Sequence, residues 1–400
     1  MGRASGAIWR GGRATTLALV VAASVAATST ARADVTTEQS ASILVFPKVM
    51  SDGTYDTIIQ ISSTSNSLAF AHCLYVNGAP PDPSQLPSST NPPQCQEIDF
   101  DIYLTKQQPT HWVVSTGRWI NPTTDSCSGP PSAVTCCALN AASCPDDTEP
   151  SGGKKDPACC DAGYSPGAIP PVSDFFTGEL KCIEVDSSGA PYNGNHFKGE
   201  ATIVTTDGDA SKYNAIGVLG LNTNTNSNNG DNTLCLGSGN PSCPTGAEYN
   251  ACPGTLIVNH FAAGADDPVI NEFAGGSAVN TEVTIVPCTE DFENQVFGTA
   301  AVQFDIYNEF EEHYSTGTPL VYCWANLNLG AVSAVFTEAY LGTRFAQTRM
   351  YSADPDQSGI LGVVEEFHSV SGGNTTRDAL NLHGEGDRPN GDVIVLPGSF

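Results

Sequence analysis

Short apolar runs rich in β-branched side chains recur along the chain between clusters of Gly, Pro, Asn and Asp. SILVFPKV, DTIIQIS, ELKCIEV, EATIVTT, TEVTIVP and DVIVLP are examples. Several alternate apolar and polar residues with period two, which turns one side of the run to a core and the other to water. No run keeps a helical period over a window of about 12 residues. The pattern predicts an all-β chain, and we expect two tandem immunoglobulin-like β-sandwich domains.

Two segments break the rhythm. Residues 120–172 carry six cysteines among many Pro and Gly, too little apolar surface to fold around a core of their own. They read as a disulfide-rich insertion in the first domain. Residues 222–254 open with NTNTNSNNGDN and run into a loop holding Cys235, Cys243 and Cys252, which reads as a linker. The expected domains are therefore 34–221 and 255–400.

Matches between the halves predict an internal duplication. SILVFP (Ser42–Pro47) resembles TEVTIVP (Thr281–Pro287), and HCLY (His72–Tyr75) resembles YCWA (Tyr322–Ala325). TGELKCIEV from Thr177 resembles SGILGVVEEF from Ser358, and HFKGEATIV from His196 resembles LHGEG with the later DVIVL.

Ahead of these strands, Arg3, Arg10 and Arg13 precede TTLALVVAASVAAT and the triplet Ala31-Arg32-Ala33. Residues 1–33 read as a signal peptide, and no later run is long and apolar enough for a transmembrane helix. The leader holds four of the 16 basic residues and none of the 43 acidic ones, which leaves 12 against 43 and a formal charge of −31. So acidic a chain lacks the basic face that nucleic acid requires. All 14 cysteines follow the leader, an even number consistent with disulfides formed after export. Cys288 and Cys323, the only cysteines within 255–400, are expected to pair, and Cys73 to bond Cys95 or Cys182.

The most chemically specific phrase is DPDQSGILGVVE, Asp354 to Glu365. Its spacing matches an EF-hand calcium loop, with acids at positions 1 and 3, Ser at 5, Gly at 6 and Glu at 12. Pro355 at position 2 and the absence of flanking helical periods argue against that frame. If the second half of the phrase is a strand, Glu365 lies about 23 Å beyond Ser358 and cannot share its coordination sphere. The phrase reads first as a turn before a strand, with Asp354, Asp356 and Ser358 as the remaining candidate calcium ligands. No other cofactor is implied.

Other signals are weaker. His383 and Glu385 have the spacing of two ligands on one strand face, the seven histidines form no H-x-x-x-H, and no G-x-S-x-G elbow occurs. Trp112, Trp119 and Trp324 are candidates for a contact surface, with Trp324 the better fit to a core. The reading is an exported, non-catalytic cell-surface or extracellular protein with a structural, adhesive or matrix-binding role, its partner a protein or a carbohydrate. The alternative is an extracellular hydrolase with a dispersed active site, since triads assemble from distant residues. A strand-rich exported chain ending in Phe400 also suggests an outer-membrane barrel, but the long cysteine-bearing loops do not fit one.

Overall fold

In the computed structural model, residues 35–82, 91–118, 167–173, 175–221, 232–268, 277–370 and 375–397 are described. Residues 1–34 (which include the stretch read as a leader), Trp119, most of the cysteine-rich stretch (residues 119–166) and the Asn-rich stretch 222–231 lie outside them. The described residues form 23 strands, numbered in chain order. A six-stranded sheet runs β1 (Val35–Thr36), β10 (Ile216–Val218), β2 (Ile43–Ser51), β7 (Phe176–Val185), β4 (Ala69–Asn77), β5 (Gln96–Leu104). A second runs β6 (Pro109–Val113), β3 (Tyr55–Ser63), β8 (Phe197–Thr205), β9 (Ala210–Asn214). A third runs β11 (Thr233–Leu236), β23 (Asp392–Val395), β14 (Glu290–Asp291), β15 (Val296–Phe297). The fourth is β18 (Ala325–Asn328), β13 (Ser277–Pro287), β20 (Ile360–Val370), β21 (Thr375–Asn381). The fifth is β17 (His313–Tyr322), β16 (Thr299–Asn308), β19 (Phe345–Ser352), β12 (Pro253–Phe261), β22 (His383–Asp387).

The chain is all-β, as expected, but these sheets, antiparallel except for the β14–β23 pair, are arranged as a five-blade β-propeller, not as tandem immunoglobulin-like sandwiches. Strands β2 and β7 show why the expectation failed. A sandwich sheet leaves one face to water, whereas β2 and β7 are buried along almost their whole length, alternate residues included. One face, with Leu44, Phe46 and Leu180, packs against Ile59, Trp112 and Ile203 of the β6-β3-β8-β9 sheet. The other, with Ile43, Val45 and Ile183, packs against Leu234 and Ile394 of the third sheet. That third sheet takes β11 from the stretch read as a linker and β23 from near the C-terminus, so its strands are not consecutive.

The internal duplication is not supported either. The β2–β7 and β13–β20 pairs are alike, each antiparallel. Beyond them the correspondence breaks down: β4 lies between β7 and β5, whereas the matching Tyr322 ends β17, which pairs with β16. Strand β8 is paired on both sides, while its two proposed counterparts, β22 and β23, belong to different sheets.

Four disulfides are formed among the described residues: Cys73–Cys182, Cys95–Cys323, Cys235–Cys243 and Cys252–Cys288. Cys73 takes Cys182, one of its two expected partners, directly across the β4–β7 ladder. The expected Cys288–Cys323 bridge is not made. Both residues find partners outside 255–400, because Cys288 follows β13 to meet Cys252, and Cys323 follows β17 into the apolar cluster shared with Cys95.

Charge is buried between the sheets as well. Lys181 on β7 places Nζ 3.1 Å from Glu179 Oε1 and 3.2 Å from Pro287 O, and also contacts Glu290 of β14. All three ionisable side chains are fully buried. Two carboxyls thus converge on one ammonium, and burial, reinforced by the Glu290 charge, pushes the Glu179 carboxyl well above the usual range.

Candidate functional site

The acidic turn lies between β19 and β20. Asp354 and Asp356 are exposed, and Asp354 Oδ1 accepts the Asp356 N–H at 3.0 Å, an Asx turn that orders the loop from within. Ser358 behaves differently, being 5% exposed. Its Oγ accepts the N–H groups of Cys288 and Thr289, each at 2.9 Å, and lies 2.8 Å from Gly359 O, to which it donates. A hydroxyl has two lone pairs and one proton, so Ser358 is fully engaged inside the fold. Arg388 fills the role of counter-cation to the loop, since its Nη2 donates to the carbonyls of Pro355, at 2.7 Å, and Gln357. Nη1 of the same guanidinium lies 3.0 Å from Asp392 Oδ1. Glu365 is in β20, opposite Glu282 and Ala379, with Oε2 2.5 Å from Lys48 Nζ. The twelve-residue phrase therefore does not close on one centre, and its ligand set reduces to Asp354 and Asp356.

Residues 355–358 wall an open cavity of 590 Å³ together with Asn240, Thr289, Phe297, Arg388 and Asp392. Below it, one oxygen of Asp392 and the sulfurs of Cys252 and Cys288 come within 4.8 Å of one another. The two sulfurs are bonded to each other, so neither offers the thiolate that a metal takes.

Histidines meet carboxylates at several places. His72 Nδ1 is 2.8 Å from Asp101 Oδ1, His196 Nδ1 is 2.6 Å from Glu184 Oε1, and His368 Nδ1 bonds Asp267. Ser42 joins the Glu184–His196 pair from the carboxylate side: its Oγ donates to Glu184 Oε2 at 3.2 Å and accepts the Asn195 N–H at 2.8 Å. That is the wrong end for a nucleophile, whose hydroxyl must bond the imidazole. His260 does bond a hydroxyl, Thr348 Oγ1 at 2.8 Å, but it is wholly buried, and burial pushes its pKa down to about 4. His111 lines a 420 Å³ cavity beside Ser62, Lys198 and Glu200, and among the described residues it has no hydrogen bond to a carboxylate.

The five-stranded sheet offers a different kind of surface. On β16 and β19 the inward residues Val302, Phe304, Ile306, Ala346 and Met350 are buried, and the residues between them face outward. Directly paired residues share a face. One outward row runs His313, Tyr307, Gln347, Asn259, and the next runs Ser315, Asp305, Arg349, Ile257, His383. Tyr307 is 37% exposed and stacks on the His313 ring with centroids 4.9 Å apart. Asp305 holds His313 Nε2 at 3.3 Å through Oδ1 and the Tyr351 hydroxyl at 3.2 Å through Oδ2. Gln347 Nε2 donates to Asn259 Oδ1 at 3.3 Å, and Arg349 pairs with Glu385. The result is an open plane of aromatic rings and amides in which Arg349 is paired with Glu385 and Asp305 is held by His313 and Tyr351.

Trp112 and Trp324 do not contribute to such a surface. Trp112 is 2% exposed, with Nε1 donating to Tyr75 Oη at 2.6 Å, and Trp324 is buried with Nε1 donating to Pro47 O at 2.9 Å. The His383–Glu385 spacing does put both residues on one face of β22, where Glu385 is taken by Arg349. Sequence reading overlooked the outer plane, although the polar and aromatic positions of AAVQFDIY and FAQTRMYS, read with period two, spell it out. No protein-family model matches the chain, and a comparison with curated proteins finds no match.

Proposed function

We propose that this is an exported, non-catalytic surface or matrix protein that uses the outer face of its five-stranded sheet to bind a neutral polysaccharide. The observation that carries this reading is the Tyr307–His313 stack set in a row with Gln347 and Asn259. Ring faces suit the C–H faces of pyranose sugars, and amides both donate and accept toward hydroxyls. The partner's neutrality is argued from charge: the chain after its leader carries −31, which repels anionic polymers, and Arg349 of the plane is already paired with Glu385. Export rests on the leader and on the disulfides, which form in oxidising compartments.

The test is affinity electrophoresis through gels containing dextran, xylan or galactomannan. The protein is expected to be retarded by at least one of them, and the Y307A/Y351A double variant to run freely while keeping its urea midpoint. Equal migration of the two proteins in every gel would refute the assignment of this face.

A further inference from the structure

We infer that Lys48 and Asn326 become joined by an isopeptide bond between their side chains. Lys48 lies on β2 where the ladder to β7 slips between Phe46 and Val49, and its side chain is 2% exposed. The backbone there is clamped: Trp324 Nε1 holds Pro47 O at 2.9 Å, while Tyr213 Oη accepts the Lys48 N–H at 3.1 Å and donates to Lys48 O at 2.6 Å. The amine is thereby aimed at Asn326 on β18, with Nζ 3.2 Å from Oδ1.

The carboxamide is held as an electrophile. Thr284 Oγ1, buried on the neighbouring β13, donates to Asn326 Oδ1 at 2.8 Å, where negative charge develops when the carbonyl is attacked. Glu282, two residues earlier on the same face of β13, accepts from Asn326 Nδ2 through Oε2 at 2.7 Å, and the same oxygen is 3.5 Å from Lys48 Nζ. One carboxylate therefore touches both the attacking and the leaving nitrogen, the position of a proton relay. Glu365 Oε2 forms an ion pair with Nζ at 2.5 Å and is the nearest carboxylate oxygen to it.

The step balances with the groups present. Glu365 takes one proton from the ammonium, and Nζ forms a bond to Asn326 Cγ. Glu282 carries a second proton from Nζ to Nδ2, the Cγ–Nδ2 bond breaks, and ammonia leaves with the first proton as ammonium. Once the lysine charge is consumed, Glu365 keeps Ser211 Oγ at 2.8 Å and Arg377 Nη1 at 3.8 Å. An amide is a poor electrophile in water, but fixing both groups in contact with each other removes the cost of bringing them together. The bond spans 278 residues, and the segment that holds Asn326 is already tied to the first half at Cys323. It forms whatever the outer sheet face binds.

Intact mass spectrometry of the full, reduced chain with a defined N-terminus tests this. The native protein is expected to weigh less than its sequence by one ammonia, and E282Q to have the full mass. A protease map should yield a branched peptide joining the residues around Lys48 to those around Asn326. Such a peptide also separates the bond from a cyclised asparagine, which loses the same ammonia without linking two peptides. Recovery of Lys48 and Asn326 in separate, unmodified peptides from the native chain overturns the inference, with no variant needed. A branched peptide from E282Q as well would overturn the relay assigned to Glu282.

Discussion

Replacing Glu179 by Gln should flatten the pH dependence of stability without unfolding the protein. In the native chain Glu179 and Glu290 both press on Lys181, and all three are fully buried. Burial first, and the Glu290 charge second, raise the Glu179 pKa above its ordinary 4.5. Above that value the folded state binds a proton that the unfolded state has released. The contribution is complete below about pH 4.5 and is lost as pH rises through the folded value. One proton limits the slope to about 1.4 kcal/mol per pH unit. Glu97, Glu184 and Glu366, raised by burial, act in the same direction, and His260, depressed by burial, acts in the opposite one. All four are present in both proteins, so they cancel in the difference between them. Urea unfolding at a series of pH values from about 4 to 8 should therefore show native stability declining relative to E179Q as pH rises. By contrast K181M strands two carboxyls without their counter-cation and should cost about 3–5 kcal/mol. A native-minus-E179Q difference that does not vary with pH would refute this account of the cluster.

Removing the Cys95–Cys323 bridge as C95S/C323S should cost up to about 5 kcal/mol in the chain-entropy treatment, a value that depends only weakly on the loop length taken, and urea midpoints read it. Ser358→Ala leaves the Cys288 and Thr289 N–H groups without their acceptor and should destabilise by about 1–3 kcal/mol in the same assay. Gly78→Ala puts a Cβ 2.7 Å from Trp324 side-chain atoms and should cost about 1–3 kcal/mol, with a shift in tryptophan emission. Calcium should leave the melting temperature unchanged, because Ser358 and the loop carbonyls are already engaged; a rise that disappears in D354A/D356A would restore the turn as an ion site.

Strand positions were legible in the sequence and strand neighbours were not. SILVFPKV, DTIIQIS, ELKCIEV and TEVTIVP fall on β2, β3, β7 and β13, because period-two alternation is a local consequence of the pleat. Strands with fewer apolar residues, such as β9 (ASKYN) and β21 (TTRDALN), passed unnoticed. The charged residues misled most. Glu179 and Lys181 alternate with Leu180 and Cys182, which in a two-layer fold marks them as water-facing; here that face is covered by the third sheet, and the charges are buried together. The disulfides required the same non-local knowledge, since Cys95 and Cys323 are 228 residues apart. At the acidic turn the partner that defines the loop is Arg388, thirty-odd residues downstream, and no spacing rule points to it.

The Cys95–Cys323 bond also decides how the molecule carries tension. A pull on the flanking chain from either side passes from residue 95 to residue 323 through two sulfur atoms, so the 227 residues between them bear no load. All five sheets draw strands from that sheltered span and are protected in part, whereas β2, β19, β20 and β23 lie outside it and feel the force directly. With the disulfide alone, the extension released before it stops the chain is therefore set by the shorter segments, 35–95 and 323–397, and the inferred Lys48–Asn326 bond would shorten them to 35–48 and 326–397.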